Sequence, residues 1–181
     1  MATGILGPDL VPVTGLGLVL IKTQPFAGAA SASVDNCFSA TYENYRIEIS
    51  LGQSVNAALN WRLRAAGVDA AGATYQWSGH DTNNTGTGGL ISGGGTPTSW
   101  GLMIALGAVG TDQSYSLTIQ QPQRTALTLF NGTGYVRYVA PGGVAFYIGG
   151  NYNATTSFDG FSIIPASGTI TGTVRVYGLA N

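Results

Sequence analysis

Residues 157–178 read SFDGFSIIPASGTITGTVRVYG, two apolar runs parted by Pro165 and Gly168. In the second run Ile170, Gly172, Val174 and Val176 fall on one side, and Thr171, Thr173, Arg175 and Tyr177 on the other. That period of two marks a strand with one buried face. Ahead of it Phe161-Ser162-Ile163-Ile164 meets Pro165-Ala166-Ser167-Gly168, where proline fixes φ and glycine supplies the positive φ that a tight reversal needs. The two runs predict a β-hairpin that closes the domain.

Upstream, short runs of the same kind recur at Leu18–Thr23, Tyr45–Leu51, Ala57–Ala65, Ala73–Ser78, Ser99–Leu106, Tyr115–Gln120, Ala126–Phe130, Tyr135–Val139 and Val144–Ile148. No window offers a helical stripe capped at both ends, which disfavours helical bundles and α/β folds. The expectation is all-β: a single antiparallel β-sandwich with jelly-roll-like connectivity, a closed barrel being the alternative. Alternation predicts a core of Ile47, Ile49, Leu59, Trp61, Leu63, Leu117, Ile119, Phe146, Ile148, Phe158, Phe161, Val174 and Val176. Arg62 and Arg64 then point outward, onto a solvated face or a subunit contact.

At 181 residues the chain fits one domain. Residues 1–15 carry Gly4, Gly7, Pro8, Pro12 and Gly15, a spacing that forbids helix and long strand alike, so they read as an extended N-terminal arm preceding a β-sandwich domain over 16–181. Only 8% of residues are charged and 28 are glycine, so the surface is polar but largely uncharged. A hydrophobic content of 44% argues against disorder. A formal net charge of −1 with scattered basic residues gives no footprint for nucleic acid or an anionic membrane. The single cysteine, Cys37, precludes an intrachain disulfide and points to a reducing compartment of folding. The longest apolar run near the N-terminus, Leu18 to Ile21, is too short for a signal sequence or a span, so no targeting segment is expected.

The segment 79–98, GHDTNNTGTGGLISGGGTPT, reads as a long glycine-dense loop with Leu90 and Ile91 stranded near its centre. Such loops are commonly functional, and the apolar pair suggests docking on a partner. Catalytic chemistry finds little to build with. His80 is the only histidine, no Gly-x-Ser-x-Gly elbow occurs, and Cys37 reads as a small buried thiol. Asp81-Thr82-Asn83-Asn84-Thr85-Gly86 echoes a calcium loop, but its twelfth position is Ser92 rather than a bidentate glutamate. The glycine runs lack the Lys-Ser/Thr of a phosphate-binding loop, and the eight acidic residues are too dispersed to nominate a glycosidase pair. The expectation is therefore no enzyme, no catalytic residue, no cofactor and no metal. Tyr75, Trp77 and Trp100 flank the 79–98 segment and could offer a sugar platform, though Tyr75 and Trp77 share one strand face and read equally as core.

Two runs carry a resemblance. Asp35-Asn36-Cys37-Phe38-Ser39, followed by Thr41-Tyr42-Glu43-Asn44-Tyr45-Arg46-Ile47, and the terminal Ser157–Gly178 phrase are similar to runs in β-rich virion proteins of tailed bacteriophages. The resemblance implies a structural protein of the virion, assembled in the bacterial host cytoplasm: a capsid decoration (cement) protein acting as a homotrimer on the major capsid protein. The alternative it implies is a tail-fibre or tail-tip receptor-binding protein that recognises host surface glycan. No shaft or heptad repeat precedes the domain, which favours decoration. Expected partner contacts are Ile5, Leu10 and Val11 on the arm, Arg62 and Arg64, and Leu90 with Ile91. Neither nucleic acid nor membrane is expected as a partner.

Overall fold

A computed structural model describes residues 17–93, 97–103, 113–137 and 142–180. The expected contacts Ile5, Leu10 and Val11 lie outside the described residues, as do the tails of the runs expected at Ser99–Leu106 and Tyr135–Val139.

Thirteen strands appear among the described residues: β1 (Leu18–Ala29), β2 (Ala32–Val34), β3 (Asn44–Gln53), β4 (Leu59–Ala65), β5 (Val68–Asp69), β6 (Tyr75–Asn83), β7 (Gly88–Ser92), β8 (Trp100–Met103), β9 (Gln113–Gln120), β10 (Thr128–Arg137), β11 (Gly143–Tyr152), β12 (Gly160–Pro165) and β13 (Ile170–Leu179). An eight-stranded sheet runs β1-β13-β3-β9-β10-β11-β6-β7, and a smaller one runs β2-β12-β4-β5, with β8 also on β4. All pairings are antiparallel. The two sheets pack face to face as a β-sandwich, as alternation with one apolar face requires.

All thirteen residues expected in the core are buried. Between the sheets Trp61, Trp100 and Phe161 of the smaller sheet meet Phe130 of the larger. Trp61 lies 4.8 Å from Trp100, 5.2 Å from Phe130 and 5.8 Å from Phe161, ring centre to ring centre. Tyr75 is buried beside them, its ring edge-on to Trp100. Tyr75 and Trp100 are therefore core residues and offer no sugar platform; Trp77 is half-buried against the same core.

Three expectations are corrected. β12 and β13 are not a hairpin, because β12 pairs with β2 and β4 while β13 pairs with β1 and β3. The turn at Ala166–Thr169 instead carries the chain from one sheet to the other. Gly168 does take the expected positive φ of 70°, and the arch is pinned where Ser54 N donates to Thr169 O (2.9 Å) and Thr169 N donates to Ser54 Oγ (2.8 Å). The stretch from Gly79 is not a loop either. Its first residues extend β6, which turns at Asn84–Thr87 into β7. Asn83 Oδ1 caps the turn by accepting from Thr85 N (3.1 Å) and Thr87 N (2.9 Å), so the oxygen read as a calcium donor already has partners within the chain. Finally, the runs expected at Ala126–Phe130 and Tyr135–Val139 are parts of one strand, β10. Gly132 and Gly134 do not break it, because they face inward and make room for neighbours: a Cβ on Gly134 would sit 2.1 Å from the Phe146 ring.

Candidate functional site

The eight-stranded sheet turns one face to the core and leaves the other bare. Register pairing places Leu90, His80, Tyr147, Thr133, Ser116, Glu48, Arg175 and Thr23 in a single row across all eight strands. With strands about 4.8 Å apart, the row is roughly 34 Å long. Most positions on this face are hydroxyls, amides or glycine, because the same alternation that sends Ile47, Leu117 and Phe146 inward leaves Ser, Thr and Asn outside.

The face has two characters. Towards β3 and β13 it is charged: Arg46 Nε donates to Glu48 Oε1 (2.6 Å), and Ser116 Oγ donates to the same oxygen (2.7 Å). Towards β6 and β7 it is uncharged and holds a shallow groove of about 670 Å³, lined by Ser78, His80, Leu90, Ser92, Tyr147 and Gly149. Tyr147 is 56% exposed and Leu90 91% exposed. A second groove of about 510 Å³ opens at the end of the face, between Ser50, Gln113, Ser114, Tyr135, Arg137 and Thr171. Tyr135 lies diagonally from Tyr147 on adjacent strands, a separation of about 7–8 Å. Together these residues make a broad, shallow surface. Among the described residues no three His, Cys, Asp or Glu side chains are grouped to hold a metal ion.

No protein-family model, curated protein or solved structure matches the chain.

The expected contact residues are scattered. Leu90 and Ile91 are neighbours on β7 but point to opposite faces, so Leu90 stands in solvent while Ile91 joins the core. Ile91 is therefore unavailable to a partner in the folded chain. Arg62 and Arg64 lie on the outer side of the other sheet, away from Leu90. Arg62 Nε donates to Thr98 O (3.0 Å). Arg64 is engaged within its own chain: Nε donates to Asp35 Oδ1 (2.6 Å), and the other guanidinium nitrogens donate to Asp69 Oδ1 and Gly67 O. Partial burial would lower the Arg64 pKa, but the carboxylates of Asp35 and Asp69 outweigh it and raise it. Arg64 thus ties the β4–β5 turn to the segment after β2, rather than reaching outward.

The residues that sequence reasoning missed are Tyr135 and Tyr147. Their signal was present, since Tyr147 sits between Phe146 and Ile148 in an alternating run and must face away from both. Cys37 is buried, as expected for a structural thiol. Its Sγ donates to Val34 O (3.4 Å), and burial pushes its pKa up to about 12.

Proposed function

We propose that the chain is a virion structural protein of a tailed bacteriophage: a capsid decoration protein that binds the head as a homotrimer, without catalysis or cofactor. The observation that carries this reading is that the two runs resembling such proteins form one structural unit. Cys37 N and Phe38 N, from the first run, both donate to Asp159 O of the second, at 2.8 and 3.1 Å. The Phe38 ring stacks on Phe161 at 5.8 Å. Further along, Ile47 pairs with Val176 and Arg46 with Tyr177. More than a hundred residues separate the runs, yet each is the other's neighbour, which supports reading them together as one unit.

Function on this reading is mechanical. The trimer lies across joints between copies of the major capsid protein and opposes the pressure of packaged genome. A face of hydroxyls and amides suits that task, because few ions must be desolvated at the contact. Immunogold labelling of intact particles should coat the head. Label confined to the tail end would overturn the reading.

A second reading is favoured by one feature, the half-exposed Tyr147 over an uncharged groove. An aromatic ring beside small hydrogen-bonding groups suits the apolar face and hydroxyls of a sugar, as a receptor-binding protein at the tail would need. On that reading the chain binds a neutral host glycan, and Tyr147→Ala weakens binding at least about tenfold, a loss of ~1.4 kcal/mol. An unchanged affinity on a glycan array would sink it.

A further inference from the structure

Among the described residues β1 is a free edge of the eight-stranded sheet, and it is built differently on either side of its first irregularity. Beyond Leu20 it carries features that discourage further pairing. The register shifts between Leu20 and Lys22 and again between Phe26 and Ala29, Lys22 places a charge there while its Nζ donates to Asp35 O (2.5 Å), and Pro25 removes a backbone donor. Leu18 to Leu20, ahead of the first shift, have no such protection. Leu18, Val19 and Leu20 are consecutive and uncharged, and each is 42% exposed or more. Successive side chains in a strand point to opposite faces, so here both faces of the sheet and its edge are bare together.

A strand end that is apolar on two sides and unpaired on a third fits a polypeptide. Backbone partners and aliphatic side chains can then arrive on the same segment, which a sugar or an ion cannot offer. The sequence places such a segment next door. Residues 1–16 contain Ile5, Leu6, Leu10, Val11, Val13 and Leu16, and one charged side chain, Asp9. At about 3.3 Å per residue they reach roughly 50 Å when extended. The β1–β13 ladder is still intact where they join it, since Ala180 N donates to Gly17 O (3.1 Å). Gly17, where they join it, is thus still held beside β13 at the end of the sheet.

We propose that residues 1–16 of one copy lie against Leu18–Leu20 of a second copy, each copy giving a segment to one neighbour and accepting one from the other. A contact of this kind joins two different surfaces and closes into a ring, whereas β1 against β1 would give a two-fold dimer. The inference rests on the homotrimer reading for the choice of a ring.

The test is cross-linking between full-length chains. A tagged Val11→Cys chain is co-expressed with an untagged Val19→Cys chain and treated with a short bis-maleimide; the native Cys37 is buried and unreactive. The exchange predicts a product of one tagged and one untagged chain, lost when Leu10→Asp is added to the first. It also predicts that Leu18→Asp/Leu20→Asp raises the dissociation constant of the assembly at least about tenfold by light scattering while the thermal midpoint holds, because both side chains are exposed. A cross-link found only within single Val11→Cys/Val19→Cys chains, or no product at all, overturns it. Particle labelling separates the two readings. Head labelling by a chain that stays monomeric removes the exchange and leaves decoration standing, and mixed-chain product from a protein that labels no particle does the reverse.

Discussion

At the scale of residues, buried ionisable groups set the response to alkali. Burial raises the pKa of the Cys37 thiol from its ordinary 9.0 to about 12, against the opposing pull of Lys22. Burial likewise raises the phenols of Tyr75 and Tyr115. Tyr75 is further fixed by its hydroxyl, which donates to Ala70 O (2.6 Å) and accepts from Leu63 N (3.0 Å). A group kept neutral in the fold but free to ionise in the unfolded chain leaves the folded state holding more protons once pH passes about 9. Stability must then fall as pH rises, by up to about 1.4 kcal/mol per pH unit for each such group. Urea midpoints should hold between pH 7 and 8.5 and decline above pH 9, and Cys37→Ala should make the first part of that decline shallower. A midpoint constant up to pH 11 would contradict the burial of all three. The burial of Cys37 was legible in the sequence. The fate of Arg64 was not: alternation sends it outward, but its acceptor Asp35 comes from a segment 29 positions away that only tertiary folding brings near.

Among the elements, glycine has opposite meanings on neighbouring strands. On β10 the inward Gly134 gives its space to Phe146, whereas a Cβ on Gly149 of β11 would meet nothing closer than 3.5 Å. Gly134→Ala should therefore cost about 1–3 kcal/mol through overpacking, and Gly149→Ala should be close to neutral. Thermal melts of the two variants settle the point, and equal losses would show that Phe146 does not fill the place of the missing side chain. The same residues explain why sequence reading split β10 in two, since a glycine that breaks a strand and one that receives a neighbour's ring look alike until the neighbour is known. Sheet membership was hidden for a similar reason. The turn after Pro165 was legible, down to the positive φ of Gly168, but whether it folds a hairpin or crosses between sheets depends on which strands flank it. β7 went unseen because its glycines dilute the alternation that marks a strand.

For the whole molecule, the legible part is the core. Every residue expected there is buried, because a period of two leaves each strand only one choice of face. Val174 and Val176 are fully buried in the second strand of the large sheet, so Val176→Asp places a carboxylate among apolar side chains without a partner. The expected cost is about 4 kcal/mol or more, enough to abolish folding. Circular dichroism of the variant should show no cooperative melt; a folded variant that merely loses particle binding would mean that β13 is an interface and not framework. The outer face was legible only in composition. That its hydroxyls form one continuous field beside Tyr147 follows from a strand order in which β6 and β11 are neighbours, and nothing local specifies that order.

The pairing of Leu18 with Leu179 also has a consequence in time. A ribosome makes β1 long before β13, so β1 waits for this partner while everything between them is synthesised. The large sheet closes over a loop that spans nearly all the described residues, and folding should be slow, as it is for other proteins dominated by distant strand pairs. During that wait, the apolar end of β1 is the part of the nascent chain most exposed to mispairing.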